Sequence, residues 1–430
     1  MKSIFIKTWK LTSTILLLSI LLFCLVVNTN IFGSKNKLYK KYPNLEKKFA
    51  MNLFNQEPLF NNLENDYNVK FLPKTQFTNI NFKKIKLNFK PHFSEPKAHT
   101  FFLELKGDDI WIIDKEGIIF KTSLKSINQK KHNETLELSK VRSNLNEIKI
   151  LDAHVNKDDF YIYFIEDINN CKTINISVAK IKNDNLKFEK FFNSDECQEN
   201  EIQIGRLITY THEDKPGLLV ATNFFIRDEP KKYLSQDDKS IFGKILFIDL
   251  ENSNQIVFSK GHRAPQGLYV EKDLILSTEH GPKGGDEINK IIFGENYGWP
   301  LASYGDYYME TKTDSDLFSE KPYYLKDHKS NGFKEPIFSF LPAIGISEII
   351  RLPNNFSKHF IDNFIVTSLN GKSIFRIKFD DEYNKIVFFE KIFIGERIRD
   401  IKYHYTEKKF YLHMNIMEKL QFLLNKFMKI

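Results

Sequence analysis

Hydrophobic and polar residues along this chain alternate in short runs rather than in helical stripes. A short acidic or glycine-containing turn followed by a β-rich run appears at "GDDIWIIDKEGIIFK" from Gly107 and at "KDDFYIYFIED" from Lys157. The pattern returns at "PGLLVATNFF" from Pro216, "KDLILSTEH" from Lys272, "DNFIVTSLNGKSIFRIKF" from Asp362 and "EKKFYLHMN" from Glu407. The spacing is mostly about 45–60 residues, with one wider gap, and repeats of that size in a strand-rich chain predict a β-propeller with one four-stranded sheet per blade. No helical stripe separates the runs. A pair of β-sandwiches is the alternative, but it has no need of six similar units. The fold class predicted is therefore all-β, a six-bladed propeller. In a propeller the inner strands converge on a central channel, so a site at one mouth is written as short motifs far apart in sequence.

The amino terminus departs from this pattern. Leu11–Val27 carries no charge and follows Lys2, Lys7 and Lys10; at about 17 residues it is near the lower limit for crossing a bilayer. No small-residue cleavage site follows, and Phe23 before Cys24 argues against lipoprotein processing. The reading is an uncleaved transmembrane helix, with a cleaved signal as the alternative. Lys35, Lys37, Lys40 and Lys41 flank its other end and leave orientation by charge open. The expected organisation is a membrane segment over 1–33, a stalk and entry segment over 34–95, the propeller over 96–416 and a C-terminal amphipathic helix over 417–430. That helix would pack on the domain or touch a membrane surface. The propeller is expected on the exported, periplasmic side.

Composition adds little to the fold but narrows the partners. The 430 residues are 42% hydrophobic and 14% aromatic, enough for a large packed core. The net charge of +8 is spread along the chain, with no arginine-rich block, so no nucleic-acid partner is expected. Cys171 and Cys197 could pair across a hairpin in an oxidising compartment or remain two buried thiols. There is no CxxC to bind a metal or haem, and nothing identifies an electron acceptor.

The densest chemistry lies between Gly261 and Ile292, "GHRAPQGLYVEKDLILSTEHGPKGGDEINKII". Arg263 stands at a turn or strand edge, and the Gly281-Pro282 step offers backbone carbonyls, hard oxygens that suit Ca²⁺. Later, "GERIRDI" places Arg397 and Arg399 two apart, on one face of a strand. Three arginines meeting at a channel would suit a ligand with several carboxylates or phosphates. Taken singly, Arg263 reads as a turn stabiliser, Arg397 and Arg399 as surface ion pairs, and Asp286 and Glu287 as solvated acids.

Together, "GHRAPQGL", "TEHGPKGGDEIN", "GENYGWPLASYG", "SLNGKSIFRI" and "GERIRDI" resemble the signature segments of the glucose/sorbosone dehydrogenase family. Weaker similarity covers "IGRLITY" through "DDKSIFGKILFIDL" and "FLPAIGISEI". The resemblance implies a PQQ-dependent aldose dehydrogenase built as a six-bladed propeller, with calcium as a second cofactor and a small-molecule sugar as substrate. It implies cofactor-binding roles for Arg263, Arg397 and Arg399, a place beside the quinone for His280, and Ca²⁺-coordinating carbonyls at Gly281 and Pro282. The family's lysine is matched by Asn370, with Lys372 two residues on and on the same strand face.

The departures concern catalysis. The family histidine that acts as general base precedes a Gly-Arg step, and here "ENEIQIGRLITY" puts Ile202 or Gln203 in its place. An acidic residue expected shortly downstream is replaced by Asn223 and Phe224. His212 is a replacement base in the next turn or else an exposed loop histidine. No catalytic residue is assigned. The expectation is a quinoprotein-type sugar oxidoreductase impaired by the missing base; the alternative is a non-catalytic propeller that binds a sugar, an anionic ligand or a protein.

Overall fold

The computed structural model describes residues 59–62, 67–69, 80–87, 101–145, 148–198, 202, 204–224, 233–306, 324–357, 360–414, 421–422 and 424–427, all within the compact unit Pro58–Ile430. The apolar stretch Leu11–Val27 lies outside the described residues. Among those described, no helix is long and apolar enough to cross a membrane.

The hairpin pattern becomes five regular antiparallel blades. The first contains Phe101–Lys106, Asp109–Asp114, Ile119–Ser123 and Ser139–Lys140. The second contains Lys149–Asn156, Asp159–Ile168, Cys171–Lys180 and Glu189–Gln198. Gly205–His212, Lys215–Thr222, Lys244–Asp249 and Gln255–Lys260 form the third. The fourth is built from Pro265–Glu271, Leu274–Glu279, Asp286–Lys290 and Phe338–Leu341. Ile346–Arg351, Asn363–Ser368, Ser373–Phe379 and Ile386–Phe393 make the fifth. The turns explain the sharp hairpins: Asn169-Asn170 and Glu213-Asp214 have positive φ at both central residues, which matches the right-handed twist of the flanking strands.

The remaining sector corrects the expectation of six equivalent blades. Ile398–His404 and Lys409–Met414 are extended by Gln421–Phe422, then by Lys86–Leu87 from the other end of the chain, and finally by Thr135–Leu136 in parallel. Two further expectations fall with it. Gln421–Phe422 and Leu424–Phe427 are strands, not a terminal amphipathic helix, because sheet edges at Lys409–Met414 and Ile80–Lys83 take up their backbone hydrogen bonds. Part of the supposed stalk also belongs to the sheets, since Leu59–Asn62 pairs with Phe338–Leu341 at the edge of the fourth blade.

Hydrophobic clusters lie between neighbouring sheets and close the ring. Trp111 and Ile113 of the first blade meet Phe160 and Ile162 of the second. Tyr163 and Ile176 of the second meet Leu218 and Leu246 of the third. Phe338 and Phe340 of the fourth meet Phe364 and Phe375 of the fifth. Tyr411 of the composite sheet joins Phe101 and Leu103 of the first blade. Because both faces of each sheet are covered, strands such as "DFYIYFIEDI" read as near-continuous apolar runs. Cys171 and Cys197 are joined by a disulfide with a Cα–Cα distance of 5.5 Å, which ties the outermost strand of the second blade to its neighbour.

Candidate functional site

The innermost strands all start at one mouth of the ring, and this common direction gathers the predicted residues. Arg263 immediately precedes Pro265–Glu271, while Arg397 and Arg399 flank the start of Ile398–His404. His280 follows Leu274–Glu279, whose antiparallel course returns to the same mouth. Arg397 thus lies just before its strand rather than on the strand face with Arg399.

His280 is the centre of the cluster. Its backbone N–H donates to Ala264 O at 3.0 Å, and its own carbonyl accepts from Arg263 Nη1 at 2.9 Å. Burial, then the charges of Arg399, Arg263 and Arg397, push its imidazole down to about 3, so the ring is neutral at physiological pH. Its Nε2 is buried with no hydrogen-bond partner. The Arg263 guanidinium lies 5.2 Å from the centre of the Trp299 ring. Arg399 donates through Nη1 to Gln266 Oε1 at 2.7 Å, while its Nε is buried without a partner. Burial, Arg206 and Arg397 lower the Arg399 guanidinium to about 10. Like charges gathered around one partly buried ring are an arrangement that suits an anionic ligand.

The loop after His280 is held from below. Asp286 Oδ1 accepts from Gly281 N at 3.2 Å and Oδ2 from Ile346 N at 2.9 Å. Burial raises its carboxyl to about 6, against the pull of those backbone donors and of Arg263. A side chain at position 281 would run into the carbonyl oxygens of Gly284 and Gly285, so this turn accepts only glycine there and crowds hard oxygens together. Among the described residues no group of three His, Cys, Asp or Glu side chains could hold a metal ion; backbone oxygens are the donors this loop offers.

Sequence reasoning missed a brace that sets both Arg263 and His280. Glu279 and His262, their immediate chain neighbours, are buried and joined by His262 Nδ1 and Glu279 Oε1 at 2.7 Å. Ser259 Oγ meets the other ring nitrogen at 2.8 Å, Ser277 Oγ and Asn289 Nδ2 donate to Glu279 Oε1, and Arg263 N donates to Oε2. Despite a burial penalty that would raise it, these partners, His262 foremost, hold the Glu279 carboxyl below its ordinary range. Glu279→Gln is expected to cost about 1.5–3 kcal/mol, the worth of a charge-assisted hydrogen bond, in urea unfolding.

Other predicted residues land differently. Asn370 and Lys372 sit in the turn between Asn363–Ser368 and Ser373–Phe379, not on a strand face. The turn is tied to the site's edge by Leu369 N to Gly345 O and Gly371 N to Ile344 O, both 2.7 Å. Both side chains are exposed, and the Lys372 carbonyl accepts from Ile394 and Gly395 just ahead of Arg397. His212 is excluded as a replacement base. It ends its strand, seven residues beyond Gly205 and so roughly 23 Å away at about 3.3 Å per residue, packed against Phe247, Phe258 and Phe293. Ile202 is a buried member of the core between the second and third blades, and the Asp286 carboxylate is buried rather than solvated.

Behind the arginines, a charged network runs along the channel. Arg206 donates through Nε to Gln266 O, through Nη1 to Asp152 at 3.0 Å and through Nη2 to Glu348 at 2.6 Å. Lys402 pairs with Glu104 at 2.8 Å. A cavity of about 240 Å³ lies beyond, lined by these groups with His154, Ile208, Ile350 and Tyr405. Burial raises the Glu348 carboxyl to about 8 against the pull of Arg206, and burial lowers the His154 imidazole to about 4. Folded Glu348 keeps a proton that the unfolded chain releases near 4.5, so its contribution is lost as pH rises through 8. Neutral His154 contributes above 6.5, and that contribution is lost as pH falls through 4. The melting temperature is therefore expected to peak between these limits and to fall from pH 6.5 to 8, as a calorimetric pH series would read.

Comparison with known proteins agrees with this geometry. Residues 96–416 match the family described as glucose/sorbosone dehydrogenase. A 168-residue segment is 30% identical to aldose sugar dehydrogenase YliI of Escherichia coli, covering 36% of this chain and 40% of that protein. A 112-residue segment is 35% identical to quinoprotein glucose dehydrogenase B of Acinetobacter calcoaceticus, covering 23% of each chain. The chain thus spans less than half the length of these curated relatives. The crystal structure of soluble aldose sugar dehydrogenase from Escherichia coli in the apo-form superposes with a TM-score of 0.62 at 17% identity, over 81% of this chain and 99% of that one, a likeness of fold. With the family match taking in most of its length, this chain belongs to the glucose/sorbosone dehydrogenase family.

Proposed function

We propose that the protein is a sugar oxidoreductase of the aldose dehydrogenase type that uses PQQ and calcium. The observation that carries the reading is the convergence of Arg263, Arg397 and Arg399 on the neutral ring of His280, with buried nitrogens on His280 and Arg399 lacking partners. A planar tricarboxylate fits that arrangement: the guanidiniums would hold its carboxylates and His280 Nε2 would hydrogen-bond to it. The backbone oxygens of Gly281 and Pro282 would face the calcium, and the exposed turn of Asn370 and Lys372 would border the same mouth. When bound, PQQ supplies a two-electron quinone acceptor and calcium polarises it. The composite sheet is read as the sixth, closing blade of the ring. The Cys171–Cys197 disulfide supports an exported, periplasmic location.

A second reading has its own support. Ile202, one of the two residues that stand where the family's base is expected, is packed in the core and takes no proton. A propeller that binds its ligand without turning it over is consistent with that substitution. The two separate on reconstitution with PQQ and Ca²⁺ followed by sugar-dependent dye reduction. The enzyme reading expects turnover about 10²–10⁴-fold below that of a base-containing relative. PQQ held without turnover on any aldose would overturn it in favour of the binding protein.

A further inference from the structure

The cavity behind the arginine cluster has a mouth of its own. Its walls come from the far halves of the inner strands: Leu105, Ile350 and Tyr403 are each next to last in theirs, and Tyr405, 67% exposed, lies just beyond. It therefore opens toward the side of the ring opposite Arg263 and Arg399. Arg206, second in Gly205–His212, lines the end nearer those arginines. At about 240 Å³ the cavity holds a molecule smaller than a drug-sized ligand.

Its charges do not balance. Three carboxyl groups, Glu104, Asp152 and Glu348, line it against two cations, Arg206 and Lys402. Lys402 serves Glu104 at 2.8 Å, and Arg206 is shared between Asp152 at 3.0 Å and Glu348 at 2.6 Å. Behind the wall, Asp400 and Arg399 add one charge of each sign, and neutral His154 adds none. The deficit falls on Glu348. The residue is 9% exposed, and its Oε2 has no hydrogen-bond partner among the described residues yet stays open to the cavity.

We propose that this cavity binds a small organic cation, with its ammonium group on Glu348 Oε2 and its apolar body against Ile208, Leu268 and Ile350. Tyr403 and Tyr405 add aromatic wall, which attracts cations. An anion would add to the charge excess. A hard metal ion fits poorly, because Lys402 and Arg206 already hold Glu104 and Asp152 and much of the remaining wall is hydrocarbon. In the ligand-free chain a proton on Glu348 offsets the excess, since burial raises its carboxyl to about 8. The organic cation displaces that proton when it binds.

The test uses the full chain without PQQ, so its outcome is independent of the cofactor reading. n-Butylamine, n-butanol and CaCl₂ are titrated by calorimetry in buffers of different ionisation enthalpy, which counts the protons released. One amine per chain is expected to bind, at least tenfold tighter than n-butanol. It should release about 0.9 proton at pH 7 and almost none at pH 9, and its affinity should rise about tenfold between pH 6 and 7. Glu348→Gln should weaken the amine at least tenfold and abolish the proton release. Ile350→Phe, which fills the cavity and keeps the carboxyl group, should weaken it by a similar factor. No amine binding by the wild type, equal affinity for n-butanol, no proton release at pH 7, or unchanged affinity in either variant would each overturn the proposal. Ca²⁺ that competes with the amine and is weakened by Glu348→Gln would overturn it in favour of an inorganic cation.

Discussion

Replacing Arg206 with leucine is expected to destabilise the propeller by about 3–5 kcal/mol, the largest single-residue effect anticipated in this chain. Arg206 is buried and spans three blades, donating to Asp152 of the second, Glu348 of the fifth and the Gln266 carbonyl of the fourth. Removing it leaves two carboxyl groups buried without their cation. Burial raises both already; with Arg206 gone, Asp152 keeps the Leu207 N–H at 2.8 Å, and both groups keep the charge of Lys402, but neither keeps its arginine ion pair. The loss should appear as a lower urea midpoint with an unchanged slope. Replacing Glu348 with leucine alongside Arg206 should recover part of it, because one of the stranded carboxyl groups is then gone.

The second large effect concerns the ligand. Arg399→Ala is expected to weaken PQQ binding by about 10–150-fold, the value of one charge-assisted hydrogen bond of about 1.5–3 kcal/mol, and Arg263→Ala by a similar factor. Arg399 is lowered by burial and by the charges of Arg206 and Arg397, which Glu348 and Asp400 only partly offset, so repulsion remains in the ligand-free site. The apo form of Arg399→Ala should accordingly lose little stability even as its affinity collapses. Sites held ready for a ligand commonly show this opposition between stability and binding. Absorbance titration gives the affinity, and thermal unfolding of the apo proteins gives the stability.

How far the sequence discloses this site depends on what kind of contact places each residue. The turn-then-strand repeats were enough for an all-β propeller, because hairpin turns and two-sided burial are local in sequence. The composite sheet was not legible: Lys86–Leu87 and Gln421–Phe422 join a sheet only through the partners it offers at its edge. Arg263, His280 and Arg399 were singled out through motif resemblance, and the common direction of the inner strands explains why these distant motifs come together. Asp286 read as a solvated acid, since no local pattern shows that Gly281 and Ile346 aim backbone N–H groups at it. The His262–Glu279 brace was missed for the same reason, although each stands beside a residue that was singled out. His212 misled because it is close in sequence to the Gly-Arg step yet sits at the far end of the strand.

The arginine cluster is proposed as the receptor for a tricarboxylate cofactor, and a PQQ titration of the full-length protein with and without Ca²⁺ tests this most directly. The prediction is saturable binding of one PQQ per chain, tightened by Ca²⁺ and weakened by Arg263→Ala and Arg399→Ala. No saturable binding, or affinity that ignores both arginine replacements, would contradict it.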